Sequence, residues 1–212
     1  MTVSKDSTAD PIVIFQKWYN QAQRSGLRRW ILSWIYPPAV LHQPDAMTLS
    51  TATRDGKPSV RIVLLKGVLE GGFVFYSNYT SRKGRELEHN PVAAAVFHWG
   101  FPERQIRVEG TIKKISREDS CAYWKTRPRG SQLSATASEQ SSVIPGRSFL
   151  EKRVTDFTRK YHGADIPCPE TWGGYCLIPE RIEFWQGRIN RLHDRTCFVR
   201  TASGWESICL SP

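Results

Sequence analysis

The sequence predicts an α+β fold in which an antiparallel sheet closes into a barrel and helices pack outside it. From Ala46 the side chains of Met47, Leu49, Thr51 and Thr53 share one face with a period of two, and tight turns such as Asp55-Gly56 separate the predicted strands up to residue 79. This stretch lacks the strand-helix alternation that builds a parallel sheet, which argues against a doubly wound α/β fold. The whole chain predicts at least seven strands. A sheet of that size is expected to close into a barrel, because closure leaves no unpaired edge strands.

The size and composition predict one globular domain with an anionic partner. A chain of 212 residues with 40% hydrophobic and 24% charged residues is enough for one domain with a real core. We expect a flexible N-terminus at residues 1–10 and a single domain at residues 11–212. The formal charge of +10 favours nucleic acid, a membrane surface or phosphorylated small molecules, and does not choose among them.

The cysteines and the apolar segments predict a cytoplasmic protein. Five cysteines without a C-x-x-C pair support neither a disulfide framework nor a zinc ribbon. The first ten residues have no apolar stretch for a signal peptide. The most apolar segment, from Trp30 to Leu41, is broken by Pro37 and Pro38 and is shorter than the roughly 20 residues of a membrane span.

The first half of the chain predicts one helix, three strands and a short second helix. A capping carboxylate at Asp10 precedes Pro11 at the first helical position, and apolar residues then recur at helical spacing. They are Phe15, Trp18 and Ala22. The elements that follow are a strand with Met47, Leu49, Thr51 and Thr53 on one face, a strand from about Ser59 to Gly67, a strand from Phe73 to Ser77 and a helix from about Ser81 to His89.

The second half predicts a long hairpin, two helices and a final group of strands. Strands from Val92 and from Arg104 flank a turn at Gly100 to Glu103. A capping pattern at Ser116 starts a helix that Pro128 stops, and a loop rich in Ser, Ala and Thr covers about Ser131 to Pro145. The remaining predictions are a helix from about Arg147 to His162 and strands near Tyr175 to Ile178, Arg181 to Trp185, Arg195 to Thr201 and Trp205 to Leu210.

Four clusters of basic and hydroxyl side chains have the chemistry that binds phosphate. They are Arg61 to Lys66, Tyr76-Ser77 with Ser81-Arg82-Lys83, Tyr123 with Arg127 and Ser131, and Gln140-Ser141-Ser142. Arginine offers a forked pair of donors, lysine a point charge, and a helix start near Ser81 adds its dipole. The alternative for each cluster is a solvated surface. Arg61 and Lys66 argue against this alternative. They lie at an odd and an even position of one apolar strand, so each face of the strand carries one cation that needs an anionic partner.

The segment from Ile182 to Arg195 combines an aromatic pair with a basic turn. His193 lies two residues from both Arg191 and Arg195, which disfavours its charged form, and Asp194 can offset that effect. A lone histidine is more often structural, but this cluster suits an anionic, planar ligand.

At these positions the sequence resembles the pyridoxamine (pyridoxine) 5′-phosphate oxidase family. The segments that carry the resemblance are RIVLLKG at 61–67, FYSN at 75–78, SRKGRELEHNP at 81–91, ERQIRVEG at 103–110, YWKTRPRGSQ at 123–132, SEQSS at 138–142 and IEFWQGRINRLHDR at 182–195. They occur in the order and at the spacing of the family, and the resemblance runs from about Asp10 to the C-terminus.

The resemblance implies a split β-barrel homodimer that binds FMN at the subunit interface. The implied reaction oxidises pyridoxamine or pyridoxine 5′-phosphate to pyridoxal 5′-phosphate, with O2 as electron acceptor, H2O2 as product, ammonia released from the amine and no metal. The implied FMN-binding residues are Arg61, Ile62, Val63, Leu64, Leu65, Lys66, Tyr76, Ser77, Arg82, Lys83, Gln105, Gln140, Ser141, Trp185 and Arg195. The implied substrate-binding residues are Lys66, Tyr123, Arg127, Ser131, Arg191 and His193, of which Arg191 and His193 face the reacting end as catalytic residues.

Three features depart from the family pattern. The first ten residues lack the Arg and Tyr that close over the substrate in the family, and Leu27 to Leu41 resembles an insertion that we expect to pack. Cys209 and Thr136 stand where the family generally has Arg and Trp. Two other functions stay open. The charge of +10 and the eight tryptophans are compatible with a nucleic-acid-binding barrel that stacks bases, and the missing Arg and Tyr are compatible with a split-barrel relative that binds flavin or another anionic cofactor without oxidase activity.

Overall fold

A computed structural model of the protein describes residues 10–31, 43–100 and 103–212, which form five α-helices and nine strands. The helices are α1 (Pro11–Ile31), α2 (Arg82–His89), α3 (Arg117–Thr126), α4 (Arg129–Ala137) and α5 (Arg147–Lys160). The strands are β1 (Ala46–Ala52), β2 (Pro58–Leu64), β3 (Gly67–Leu69), β4 (Gly72–Asn78), β5 (Val92–Trp99), β6 (Arg104–Lys114), β7 (Trp172–Gln186), β8 (Asp194–Thr201) and β9 (Gly204–Cys209).

The nine strands form one antiparallel sheet that curls into a barrel, so the predicted α+β barrel is confirmed. The strand order is β2-β1-β5-β6-β7-β4-β3, and β8 and β9 extend from β7. The two ends of this order, β2 and β3, are separated in the chain by Leu65 and Lys66 alone. The backbone N–H of Lys66 donates to the carbonyl of Val74 at 2.8 Å. The chain itself therefore joins the two ends of the sheet.

The barrel interior is filled by alternate residues of the strands and is covered by α1. The predicted core positions of α1 are correct, because Phe15, Trp18 and Ala22 are all buried. The ring of Phe15 contacts that of Phe73 in β4 with centroids 4.7 Å apart. Trp18 packs edge-on against Phe184 at 5.3 Å. Burial of these large aromatic side chains is the main term that holds the helix on the barrel.

Strand β7 corrects the prediction of two short strands at 175–178 and 181–185. It is one strand of 15 residues that pairs with β6, β4 and β8. The pairing with β6 shifts register at Glu109/Gly110, where Glu180 is the extra residue of β7. Such a bulge lets a strand continue past an irregular position such as Pro179, which the sequence pattern marks as a break.

Helix α4 corrects the predicted loop at Ser131 to Pro145. Its residues Leu133 and Ala137 are buried, and Leu133 belongs to a second hydrophobic cluster with Trp124, Ile166 and Trp172. Small polar residues alone indicated a loop, but burial of one face against α3 and β7 stabilises the helix. Residues 138–146, which include the rest of the predicted loop, join α4 to α5.

Parts of two predictions lie outside the described residues. Helix α1 extends to Ile31, so the first five residues of the expected insertion at Leu27 to Leu41 are helical. The rest of that segment and the expected flexible N-terminus, apart from Asp10, are not among the described residues. Among the residues with described structure, no helix has the length and apolar character needed to cross a bilayer.

Candidate functional site

A cleft of about 580 Å³ lies where β2, β4, α2 and α3 meet. It contains most of the FMN-binding and substrate-binding residues that were predicted from the sequence. The lining residues are Ser59, Val60, Arg61, Ile62, Val63, Leu64, Lys66, Tyr76, Ser77, Arg82, Lys83, Tyr123, Arg127, Gln140, Ser141 and Trp172. Segments as far apart in the chain as Ser59 and Trp172 therefore contribute to one concave surface.

Lys83 is a buried cation at the start of α2. Ser81 caps this helix by accepting a hydrogen bond from the backbone N–H of Gly84 at 3.3 Å. The Lys83 ammonium donates to Ser77 Oγ at 2.9 Å, to Gln140 Oε1 at 2.7 Å and to Ser81 Oγ at 3.3 Å. Burial is the largest effect on this group and, with the charge of Arg61, lowers the pKa of Lys83 to about 8. Within the described residues, no carboxylate lies within ion-pair distance of Lys83.

Glu86, one turn further along α2, joins two arginines of the cleft. Its carboxylate is 5% exposed and accepts from Arg61 Nη2 at 3.2 Å and from Arg82 Nε at 2.9 Å. Ser59 Oγ donates to the same carboxylate at 2.6 Å, and the Thr51 hydroxyl also donates to it. Burial alone would raise the pKa of Glu86, but these hydrogen bonds outweigh it and lower the pKa to about 2. We call Arg61, Ser77, Arg82, Lys83, Gln140 and Ser141 the cation cradle.

A stack of aromatic rings supports Arg127 on another wall of the cleft. Tyr76 lies between Tyr123 and Trp172, with ring centroids 4.0 Å and 5.2 Å away and nearly parallel planes. The Arg127 guanidinium lies 4.9 Å from the ring centroid of Trp172 and 5.1 Å from that of Trp124. Its Nη2 donates to the Ser131 carbonyl at 3.2 Å, whereas its buried Nη1 has no hydrogen-bond partner among the described residues. Burial lowers the pKa of Arg127.

The open side of the cleft is an apolar edge strand. Strand β2 pairs with β1 and exposes Val60 and Ile62, which are 63% and 68% exposed. Lys66 lies beyond the end of β2 and pairs with Asp45 at 3.3 Å, so the expectation that it shares a strand with Arg61 at opposite parity is wrong. Leu65 is buried and does not line the cleft.

A second cluster forms at the ends of β6, β7 and β8. Trp185 lies opposite Gln105 on one side and opposite Arg195 on the other. The His193 ring lies 4.6 Å from the Trp185 ring, and Arg195 Nε donates to the buried Glu183 at 2.8 Å. We call Gln105, Trp185, Arg191, His193 and Arg195 the Trp185 cluster. None of these five residues lines the cleft within one chain.

The turn that carries Arg191 has an unusual backbone. Asn190 and Arg191 have φ values of 58° and 61°, a left-handed conformation that is costly for residues other than glycine. Their side chains therefore do not follow the alternation of an extended segment, which was the basis for expecting Arg191 and His193 on one side. The Arg188 backbone N–H donates to His193 Nδ1 at 3.2 Å, which places the proton of the neutral ring on Nε2. Arg188 Nε also donates to Asp194 at 2.7 Å.

Sequence reasoning missed two buried residues of the site. Glu86 lies four residues after Arg82, a spacing that is typical of a solvated helix face, and no local signal shows that the carboxylate is buried. Trp172 is the first residue of β7, and in the sequence it resembles a core residue. The two substitutions relative to the family pattern, Thr136 and Cys209, are not among the residues that line the cleft.

Comparisons with known proteins identify relatives of the whole chain. Residues 38–161 match the family model described as pyridoxamine 5′-phosphate oxidase, and residues 172–212 match the model of the pyridoxine 5′-phosphate oxidase C-terminal dimerisation region. The chain is 51% identical to a pyridoxine/pyridoxamine 5′-phosphate oxidase of Rubrobacter xylanophilus, over 96% of this chain and 87% of that protein.

Two solved structures resemble the fold. PhzG from Burkholderia lata, in complex with tetrahydrophenazine-1-carboxylic acid, is 27% identical and has a TM-score of 0.84, over 98% of this chain and 95% of that chain. A pyridoxamine 5′-phosphate oxidase-related, FMN-binding protein from Nostoc punctiforme is 18% identical and has a TM-score of 0.66, over 87% and 96% of the two chains. The second likeness concerns the fold alone.

Proposed function

Because the chain belongs to the pyridoxamine 5′-phosphate oxidase family, we propose that it uses FMN and O2 to oxidise pyridoxamine and pyridoxine 5′-phosphate to pyridoxal 5′-phosphate. One observation supports the assignment of this activity to the cleft. The cleft contains two desolvated cations, Lys83 and Arg127, whose charges the described residues do not neutralise. The phosphate of the flavin and the phosphate of the substrate are two anions that would neutralise these two cations.

The cation cradle fits the phosphate of FMN. Arg61, Arg82 and Lys83 supply charge, and the Ser77 and Ser141 hydroxyls supply further hydrogen-bond donors. The ammonium of Lys83 is buried among neutral oxygen atoms, which is an unfavourable state that a bound dianion relieves. The residues from Ile62 to Leu64, with Lys66 and Tyr76, would then line the flavin, and Leu65 would contribute through its backbone.

The substrate phosphate fits the wall that carries Arg127. The orphaned Nη1 of Arg127 supplies one donor, and Lys66 and Tyr123 line the same cleft. Ser131 lies in the first turn of α4, and its backbone carbonyl accepts a hydrogen bond from Arg127. The stacked rings of Tyr76 and Tyr123 restrict the mobility of this wall, which reduces the entropy lost on binding.

We infer that a homodimer brings the Trp185 cluster to the cleft. Four residues of this cluster lie in the segment that matches the dimerisation region, Gln105 pairs with Trp185 from the neighbouring strand β6, and none of the five lines the cleft of its own chain. The exposed apolar edge of β2 is a surface that a second copy would cover. Gln105, Trp185 and Arg195 of one subunit would then contact the FMN held by the cation cradle of the other subunit.

The chemistry that bound FMN supplies is acceptance of a hydride from the exocyclic carbon of the substrate, with O2 as the final electron acceptor. The alcohol and O2 give the aldehyde and H2O2, whereas the amine, O2 and water give the aldehyde, ammonia and H2O2. The protein orients the reactants. His193, whose Nδ1 accepts from the Arg188 backbone N–H, would present its Nε2–H to the reacting group, and the planar guanidinium of Arg191 would cover the pyridine ring.

The five cysteines support a reducing, cytoplasmic location. All five are free thiols, and Cys176 and Cys197 are buried. Structural disulfides are typical of oxidising compartments, and free thiols of reducing ones.

The decisive experiment measures cofactor and product stoichiometry. We expect yellow protein that releases one FMN per chain on denaturation. Pyridoxine 5′-phosphate should yield one H2O2 per aldehyde, and pyridoxamine 5′-phosphate should yield one ammonia in addition. Arg127→Ala should raise KM, and Lys125→Ala, on the exposed face of α3, serves as the matched control.

Two outcomes would favour the alternatives. Bound FMN without turnover of either substrate would indicate a split-barrel relative with another activity, and colourless protein that binds single-stranded nucleic acid would indicate the nucleic-acid-binding barrel. Sedimentation at micromolar concentration tests the dimer separately. A monomer that retains FMN and turns over would contradict the shared site.

A further inference from the structure

We propose that Glu86 is a positioning residue that holds Arg61 and Arg82 in the orientation required to bind the phosphate of FMN. The inference rests on the proposed function, because it concerns the cofactor assigned there. Glu86 does not line the cleft and would not touch the cofactor. It acts through the arginines that do.

Glu86 is the centre of a buried hydrogen-bond network. Ser59 and Thr51, from two strands, donate to its carboxylate together with the two arginines. The Thr51 and Ser59 hydroxyls also accept from Arg61, at about 2.5 Å each, and the Leu49 carbonyl accepts from it at 3.3 Å. Glu86 therefore holds the guanidinium directly and also orders two of its other three acceptors. Arg82 is 60% exposed, and Glu86 is the ion-pair partner that keeps its long side chain at the cleft. Without Glu86, each arginine regains rotamers that point away from the phosphate.

Glu86 also balances the charge of the cation cradle. Three cations around one carboxylate leave two net positive charges, which matches the charge of a phosphate monoester near neutral pH. The groups that face Lys83 are Arg61 from β2, Glu86 from its own helix, and the neutral Ser77 and Gln140. Arg61 favours loss of the lysine proton, whereas Glu86 favours its retention. Glu86 therefore helps to keep Lys83 charged before the cofactor binds.

The direct electrostatic interaction between Glu86 and the phosphate is repulsive, because both groups are negative. This repulsion opposes the favourable effect of positioning. Positioning should outweigh this repulsion for two reasons. The arginines lie between the carboxylate and the cleft, so their charges screen it from the ligand. In addition, an amide in place of the carboxylate would direct an NH2 group at an arginine donor and break one of the two ion pairs.

The test compares the same substitution at two positions of α2. Glu86→Gln removes the buried charge, and Glu88→Gln removes an exposed charge, two residues away, that pairs with Lys114 outside the cleft. FMN and riboflavin are titrated into each apo-protein by fluorescence quenching. Riboflavin lacks the phosphate, so it reports on the rest of the cleft. We expect FMN affinity to fall about 10- to 100-fold in Glu86→Gln, the range for charged hydrogen bonds, with riboflavin affinity and the Glu88→Gln protein unchanged.

The pH profile gives a second readout. In the wild-type protein FMN affinity should fall as pH rises above about 8, because Lys83 must then take up a proton to bind the phosphate. Loss of Glu86 lowers the pKa of Lys83 further, so in Glu86→Gln this fall should begin at lower pH. Thr51→Val, which removes a hydroxyl between Glu86 and Arg61, should weaken FMN binding about threefold and tests the network if Glu86→Gln does not fold.

Each outcome decides between positioning and its alternatives. Unchanged or tighter FMN binding by Glu86→Gln would overturn the proposal, and so would an equal loss for FMN and riboflavin, which would indicate a general structural role. If Glu86→Gln does not fold, unchanged FMN affinity in Thr51→Val overturns it. Failure of the wild-type apo-protein to bind FMN would instead refute the proposed function.

Discussion

The cation cradle and the turn at residues 188–193 hold their functional side chains in different ways. Lys83 of the cradle and the neighbouring Glu86 are buried, and hydrogen bonds from several elements hold them. In the turn, Ile189 is 87% exposed and Leu192 is 71% exposed, and the conformation depends on a left-handed backbone and the pair between Arg188 and Asp194. The cradle is ordered by buried polar bonds, whereas the turn is ordered by a few local contacts.

This difference suggests a division of labour. A buried network loses little entropy when it binds an anion, which suits a cofactor that stays bound through many turnovers. An exposed turn can be covered and uncovered, which suits contact with a substrate that enters and leaves. Substitutions in the cradle should therefore act on FMN binding, and substitutions in the turn should act on turnover.

The largest expected effect is loss of the cofactor when the cradle loses two cations. Replacing Arg82 and Lys83 together by Ala should weaken FMN binding roughly 10²- to 10⁴-fold, since each charged hydrogen bond contributes about 1.5–3 kcal/mol. The purified variant should be largely colourless, as measured by visible absorption and released FMN. Arg85→Ala, on the exposed face of α2, is the control and should retain FMN. Retention of stoichiometric FMN by the double variant would refute the assignment of the cradle.

The next effect concerns chemistry at the turn. Arg191→Ala should reduce kcat/KM by roughly 10²-fold, with a substantial fall in kcat and FMN intact, because misalignment of the reactants slows hydride transfer. Arg127→Ala should act mainly through KM, because it removes a ligand of the substrate phosphate. Steady-state peroxide assays distinguish the two patterns. The reverse pattern would contradict the roles assigned to Arg191 and Arg127, and loss of FMN from Arg191→Ala would show that the division between cradle and turn is wrong.

The smallest effect tests the ion pair that supports the turn. Asp194→Asn removes the partner of Arg188, and both side chains are about 40% exposed. An exposed pair contributes about 0–1 kcal/mol, so we expect kcat to fall about two- to fivefold without a change in FMN affinity. Asp156→Asn breaks a comparable exposed pair with Arg159 on α5 and should leave both quantities unchanged. A fall in FMN affinity for Asp194→Asn alone would show that the turn also holds the cofactor.

Local sequence patterns determined most of the elements of this fold. The period of two marks β1 and β6, and the capping residues Asp10, Ser81 and Ser116 mark three helix starts. These patterns are reliable because hydrogen bonding and side-chain direction within an element depend on residues a few positions apart. The nominated basic clusters of the cleft were also visible in the sequence, because phosphate binding requires cations and hydroxyls whatever the fold.

Tertiary structure alone decided which polar groups are buried and which segments meet. Glu86 resembles a member of an exposed pair with Arg82, and it is buried because Thr51 and Ser59 approach from strands 35 and 27 residues away. Helix α4 forms where the local composition indicated a loop, because Trp124 and Trp172 cover one of its faces. Burial and desolvation depend on contacts between distant segments, and no local window of the sequence contains that information.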